Sequence, residues 1–229
     1  MDKVIVIGGS GLIGKALCKV LAEECFEVIG MSRTQYSPEI DQYVSDWIYE
    51  DVATSEGTGL ILEKCSNADS VSLVFCCGNH GHDASIANQI GTYQTNLVGI
   101  SRIWEMTRSN PSLNINCIII CSSLMGSLPD RHFPFYAASK AGLDHFIRSI
   151  RNDQLQIPIC SIVLGPVGST NARGMTPPDK VAKYISGFIK KPYSGEAYLP
   201  RYLKVLIPSI RVMPNFWERI LVGFRKRRN

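Results

Sequence analysis

The chain has 229 residues, 45% of them hydrophobic and 19% charged, and carries a formal charge of +4. These values describe one ordinary globular domain with room for a sizeable core. No apolar run approaches the ~20 residues that span a bilayer, and Met1-Asp2-Lys3 leads into Val4–Ile7 and glycines rather than into a secretory signal, so the expectation is a cytoplasmic protein.

Lys3–Ile7 is a short β-branched run and reads as a buried parallel strand. Gly8-Gly9-Ser10-Gly11-Leu12-Ile13-Gly14 follows, and then an amphipathic helix over Lys15–Glu24 with Ala16, Leu17, Val20 and Leu21 on one face. Strand, glycine turn and helix are the setting of a dinucleotide-binding loop. The glycines allow close approach to a pyrophosphate, and the helix N-terminus offers unpaired N–H donors. Gly8, Ser10, Gly11, Leu12, Ile13 and Gly14 are therefore candidate cofactor contacts. The second strand, Phe26–Met31, ends at Ser32-Arg33, where an NAD-preferring fold carries an acidic residue. Ser32 and Arg33 suit a 2′-phosphate instead, which favours NADP(H) over NAD(H).

Ser45–Glu50 reads as a third strand, with Asp51 and Val52 at the adenine edge. A helix over about 57–64 and a fourth strand, Val71–Cys77, come next. Gly78 opens the turn Gly78-Asn79-His80-Gly81, at the strand end where ligands sit in open α/β sheets. His80 and His82 read as solvated loop residues. Thr92–Arg108 reads as one helix with Asn96 inside it, a mediocre helix former that needs a reason to be there. Ile115–Cys121 is the fifth strand, ending at Ser122-Ser123. Pro134–Asp153 carries a helix containing Tyr136 and Lys140. Ile157–Leu164 is the sixth strand, followed by Gly165-Pro166-Val167 and Thr170. Pro178–Ile189 reads as a helix and Ala197–Leu199 as a last short strand. This alternation implies an α/β fold, a doubly wound parallel sheet of about seven strands flanked by helices.

Tyr136 and Lys140 are four apart, so a helix sets them on one face. An ammonium near a phenol, whose ordinary pKa is about 10, pulls that pKa toward neutrality and makes the group a working proton donor and acceptor. The eight cysteines show neither metal spacing nor Cys-x-x-Cys and read as small core hydrophobes in a reducing compartment.

Residues 3–199 resemble the short-chain dehydrogenase/reductase family. The family's Tyr-x-x-x-Lys is Tyr136-Ala-Ala-Ser-Lys140, its serine with a following glycine is Ser123-Leu-Met-Gly126, and its helix asparagine is Asn96. The resemblance implies a carbonyl–alcohol oxidoreductase. In it Ser123 polarises the carbonyl, Tyr136 acts as general acid/base, Lys140 supports Tyr136 and the nicotinamide ribose, and Asn96 holds a relay water. Gly78, Pro166, Val167 and Thr170 line the nicotinamide side. It also implies a homodimer or homotetramer built through the Asn96 and Tyr136 helices, and a small-molecule substrate rather than a nucleic acid. The chain departs from the family in three places. Phe75-Cys76-Cys77-Gly78 stands for Asn-Asn-Ala-Gly, Gly165-Pro166 is inverted, and the stretch between Thr170 and Pro178 is short, which suits a bulky, lipophilic or lipid-linked substrate. Gly8-x-x-Gly11-x-x-Gly14 looks more like the extended sugar-nucleotide branch, whose epimerases and dehydratases run ~300 residues or more, longer than this chain. A non-catalytic NADP(H)-binding regulator is the rival from another class.

From Lys190 onward there are ten Lys/Arg and two Glu, a net of +8 on a body of net −4. Residues 200–229 thus read as a basic amphipathic extension to a 1–199 catalytic domain. Pro200, Pro208 and Pro214 divide it into short helical pieces. Two destinations stay open for it: an anionic membrane surface, or the body of the protein.

Overall fold

A computed structural model describes residues 2–34, 38–78, 85–153, 156–168 and 174–217. Seven strands form one parallel sheet: β1 Lys3–Ile7, β2 Glu27–Ser32, β3 Asp46–Tyr49, β4 Val71–Phe75, β5 Ile115–Ser123, β6 Ile159–Leu164 and β7 Gly195–Leu199. Their spatial order is β3-β2-β1-β4-β5-β6-β7. The order reverses direction between β1 and β4, and ligands in open α/β sheets bind outside the carboxyl ends of the strands at that switch.

The central strands are apolar throughout because both faces are covered. In β1, Val4 and Val6 pack with Leu17, Leu21, Val181 and Ile185, from α1 (Leu12–Glu23) and α7 (Pro178–Lys190). Ile5 and Ile7 point the other way. They join Ile61, Ile103 and Leu143, from α3 (Ser55–Ser66), α5 (Gly99–Ser109) and α6 (Pro134–Ile150). Alternation along the strand thus builds two cores from one apolar run. Pro134 suits the first turn of α6, where its missing N–H is no loss.

Several expectations change. The single helix over Thr92–Arg108 is three segments: α4 (Ile86–Tyr93), a π-helical turn (Gln94–Val98) and α5. The widened turn falls on Asn96, which is buried and donates from Nδ2 to Ser139 Oγ on α6 at 2.9 Å. Helix propensity does not register such a widening, because a tertiary hydrogen bond holds it. A short α2 (Pro38–Asp41) was not foreseen. Pro208 does not divide the tail. It lies inside α8 (Leu203–Val212), whose Leu203, Ile207 and Ile210 pack on Val163 and hold both halves of the helix together. Cys25 is exposed and has φ +65°, and Cys76 and Cys77 are half-buried, so three of the eight free cysteines are not core residues. Asn79–Gly81 with His80 and His82, Thr170, and the tail from 218 lie outside the described residues.

Candidate active site

The carboxyl ends of the strands surround a cleft of ≈ 720 Å³. At one end lies the glycine loop. Gly8 has φ +91°, and a side chain there would put Cβ 2.5 Å from the Cys77 amide nitrogen of β4's exit. A Cβ on Gly14 would run into the Gly8 carbonyl, so α1 can start against the loop only with glycine at both ends of the motif. The N-cap of α1, Gly11, provides no side-chain cap, which leaves first-turn amides for the phosphates of a dinucleotide. Ser10, Gly11, Leu12 and Ile13 line the cleft; Gly14 lies behind it as a packing residue.

The exit of β2 supplies the next wall. Thr34 donates to Ser10 Oγ at 3.0 Å, Ser32 donates to the Thr34 carbonyl at 2.5 Å, and Arg33 lies 3.6 Å from Asp51 with its side chain 57% exposed. Ser32, Arg33, Asp51 and Val52 all line the cleft. This wall thus presents the hydroxyls of Ser10, Ser32 and Thr34, the exposed guanidinium of Arg33, and the carboxylates of Glu50 and Asp51.

At the other end, Ser123, Tyr136, Lys140, Gly78, Pro166 and Val167 line the same cleft. Lys140 is buried, donates to the Cys121 carbonyl at 3.1 Å, and sits with Nζ 5.8 Å from the Tyr136 ring centroid. Ser123 Oγ accepts from the Met125 amide at 3.2 Å, which leaves its hydroxyl proton for another acceptor. Asn96 does not line the cleft; Thr95 beside it does. Asn96 instead reaches α6 through Ser139, which donates to the Tyr136 carbonyl at 2.8 Å. Cys76 and Cys77, which stand where the family has Asn-Ala, both line the cleft. Hydrogen bonding to Cys121, 3.8 Å away, and burial push Cys76 well up, and burial pushes Cys77 up to about 11. They line the cleft as small apolar groups.

Sequence reasoning missed the support beneath these residues. Asp144, one turn beyond Lys140 on α6, is buried and accepts from Ser122, the neighbour of Ser123. Arg211 of α8 lies 3.5 Å from Asp144, 2.7 Å from Glu196 of β7, and donates to Ser127 at 3.3 Å. Burial raises the Asp144 pKa against the pull of Ser122 and Arg211. Burial also opposes ionisation of Glu196, but hydrogen bonds from Arg211 and Tyr198 outweigh it and hold the carboxyl below its ordinary value. The glycine of Ser123-x-x-Gly126 belongs to this support, since a Cβ there would lie 2.6 Å from Asp144 Oδ2. The signal was present: a carboxylate on the Tyr136, Lys140, Ile147 face of a helix is out of place unless it is paired.

The sequence pattern of the NAD dependent epimerase/dehydratase family matches residues 4–208. No curated protein matches the chain. Solved structures with the same fold include the following three. A short-chain dehydrogenase from Burkholderia cenocepacia in complex with NADP is 15% identical, with 96% of each chain covered and a TM-score of 0.76. One from Streptomyces avermitilis is 16% identical, covering 97% of this chain and 98% of that one, with a TM-score of 0.74. An alcohol dehydrogenase from the archaeon Thermococcus sibiricus, complexed with 5-hydroxy-NADP, is 19% identical, covering 87% and 96%, with a TM-score of 0.71.

Proposed function

Because the chain belongs to the NAD dependent epimerase/dehydratase family, we propose that it is an NADPH-dependent oxidoreductase that interconverts a carbonyl and an alcohol. The observation that carries this reading is the sharing of one cleft by Ser123, Tyr136 and Lys140 with the glycine loop. When bound, NADPH supplies the hydride. Ser123 donates a hydrogen bond to the substrate oxygen and stabilises the charge that develops there. Tyr136 gives its phenolic proton to that oxygen, and takes it back in the oxidation direction. Lys140 stands beside the Tyr136 ring as its cationic neighbour. Asn96 fixes α6 through Ser139; a relay water at Asn96 belongs to this proposal. Cys76, in place of the family's asparagine, and the neighbouring Cys77 fit a bulky, lipophilic substrate. NADPH oxidation followed across steroid, sugar, acyl and polyprenyl-linked ketones tests the reading. Turnover of one class supports it; tight NADPH binding with no carbonyl reduced anywhere in the panel favours the non-catalytic regulator.

The family match itself favours a second reading, a redox-neutral epimerase- or dehydratase-like reaction on the same tyrosine. It predicts product without net NADPH consumption, which mass analysis of the same reactions separates from reduction.

Cofactor choice rests on Arg33, the exposed guanidinium beside Asp51. Arg33→Ala is expected to weaken NADPH, measured by fluorescence titration, by roughly ten- to hundredfold, the loss of one charge-assisted pair, and NADH little. Equal losses for both cofactors would remove the 2′-phosphate role.

A further inference from the structure

α8 is apolar on two sides, and the core uses only one of them. Leu203, Ile207 and Ile210 are buried against Val163, with Leu124, Leu128 and Trp217 packed around them. A second stripe runs along the outer side: Tyr202, Val205, Val212 and, in the helical turn at 214–217, Phe216. Val205 and Val212, seven apart, share one side of α8, while Tyr202 stands at its start and Phe216 follows the break at Met213. Val205 is 77% and Val212 80% exposed, with Tyr202 and Phe216 more than half exposed. No packing requirement of the fold places valines there.

Charge narrows what can cover them. Residues 201–229 hold eight Lys/Arg and one Glu, a net of +7, against −3 for residues 1–200. Arg211 is committed inward to Asp144 and Glu196, while Arg201 and Lys204 are exposed at the start of α8. After Trp217 the sequence continues with Ile220, Leu221, Val222 and Phe224 and then Arg225-Lys226-Arg227-Arg228. A second copy seated on this face would bring two segments of +7 together. A nucleic acid would meet the cations but leave the valines in water. An anionic interface with an apolar interior satisfies both features.

We propose that the outer side of α8 docks the protein on an anionic phospholipid surface. The helix lies in the interface, with Val205, Val212 and Phe216 toward the acyl chains and Arg201 and Lys204 at the headgroups. The inner side of the same helix packs with Leu124, which also lines the cleft, so docking sets the membrane beside one wall of the active site. The proposal does not depend on the reaction chemistry.

The test is co-sedimentation of the full chain with vesicles of phosphatidylcholine alone and of an equimolar phosphatidylcholine–phosphatidylglycerol mixture. Partitioning is expected into the anionic vesicles only, and less of it at high salt. Val205→Gln with Val212→Gln keeps the charge and should lower partitioning by about tenfold, as two valines lose their apolar contact. Replacing Arg225, Lys226, Arg227 and Arg228 together by Gln leaves α8 untouched and should lower it at least as much. The proposal fails if the parent protein ignores anionic vesicles, or if the double valine variant partitions as the parent does. It also fails if light scattering shows that the valine variant turns a dimer into a monomer while vesicle binding is absent throughout, which would assign the face to a second copy. RNA binding in place of vesicle binding, unaffected by the valine changes, would overturn it equally.

Discussion

Tyr136→Phe is expected to lower turnover by about 10²–10⁴-fold, the ordinary range for losing a positioned general acid, and to leave NADPH affinity nearly unchanged. The substitution removes one oxygen. The ring keeps its place at the cleft floor, the α6 backbone keeps the Ser139-to-Tyr136 carbonyl bond, and Lys140 keeps its bond to the Cys121 carbonyl. The glycine loop and the β2 exit are unchanged by the substitution, so fluorescence titration should show intact binding while stopped-flow or steady-state absorbance shows lost hydride consumption. Separation of binding from turnover is what a proton donor predicts. A variant that still reduces the substrate at a near-parental rate would show that another group delivers the proton, with Ser123 and Thr95 the hydroxyls then to be tried.

Arg211→Met is expected to destabilise the fold by on the order of 3 kcal/mol at neutral pH, the cost of leaving a buried partner charge uncompensated. Methionine keeps most of the apolar stem, so the loss reports the guanidinium rather than packing. Without it Asp144, 3% exposed on its side chain, keeps the hydrogen bond from Ser122 and the more distant charge of Lys140, and Glu196 keeps Tyr198 and the charge of Arg151. The sign of the pH dependence follows from the two carboxyls. Glu196 has a depressed pKa in the folded protein, so its contribution is complete above the ordinary carboxylate value and is lost as pH falls through the folded one. Asp144 has a raised pKa, so its contribution is present below its unfolded value and is lost as pH rises through the folded one. Removing Arg211 weakens the first effect and enlarges the second. The penalty of the substitution should therefore be largest near neutrality and shrink as pH falls toward the carboxylate range, because protonated Asp144 no longer needs a partner. Urea unfolding at several pH values measures this; a penalty independent of pH would mean that the ion pair contributes nothing and that only packing was lost. Because Ser122 precedes Ser123, the same variant should also lower kcat, while Arg33-side cofactor affinity stays put.

The parts of this protein written in local patterns were legible before any fold was known. Lys3–Ile7, the glycine loop and the amphipathic run after it predicted β1 and α1 to within a few residues, because a buried parallel strand and a one-sided helix leave different periods in the sequence. The spacing of Tyr136 and Lys140 set them on one helical face, and the cleft has both. The Gly8-x-x-Gly11-x-x-Gly14 spacing pointed toward the branch whose pattern matches the chain, although length argued the other way.

What stayed hidden depends on residues far apart in the chain. The π-helical turn at Asn96 is held by Ser139, 43 residues away, and no propensity of Gln94–Val98 foretells it. Pro208 looked like a helix breaker because the sequence shows its missing N–H but not the three buried side chains that hold α8 on β6. Arg211 counted as one more cation of a basic tail, yet it is the partner of a buried carboxylate that accepts from Ser122 near the end of β5. The sequence by itself determined the sheet, the dinucleotide loop and the Tyr136–Lys140 pair, since short-range periodicity and steric need specify those. Only the tertiary structure decided that the first part of the tail belongs to the body: its inner stripe meets Val163 and its arginine meets Asp144 once β5, β6, β7 and α6 have been brought together.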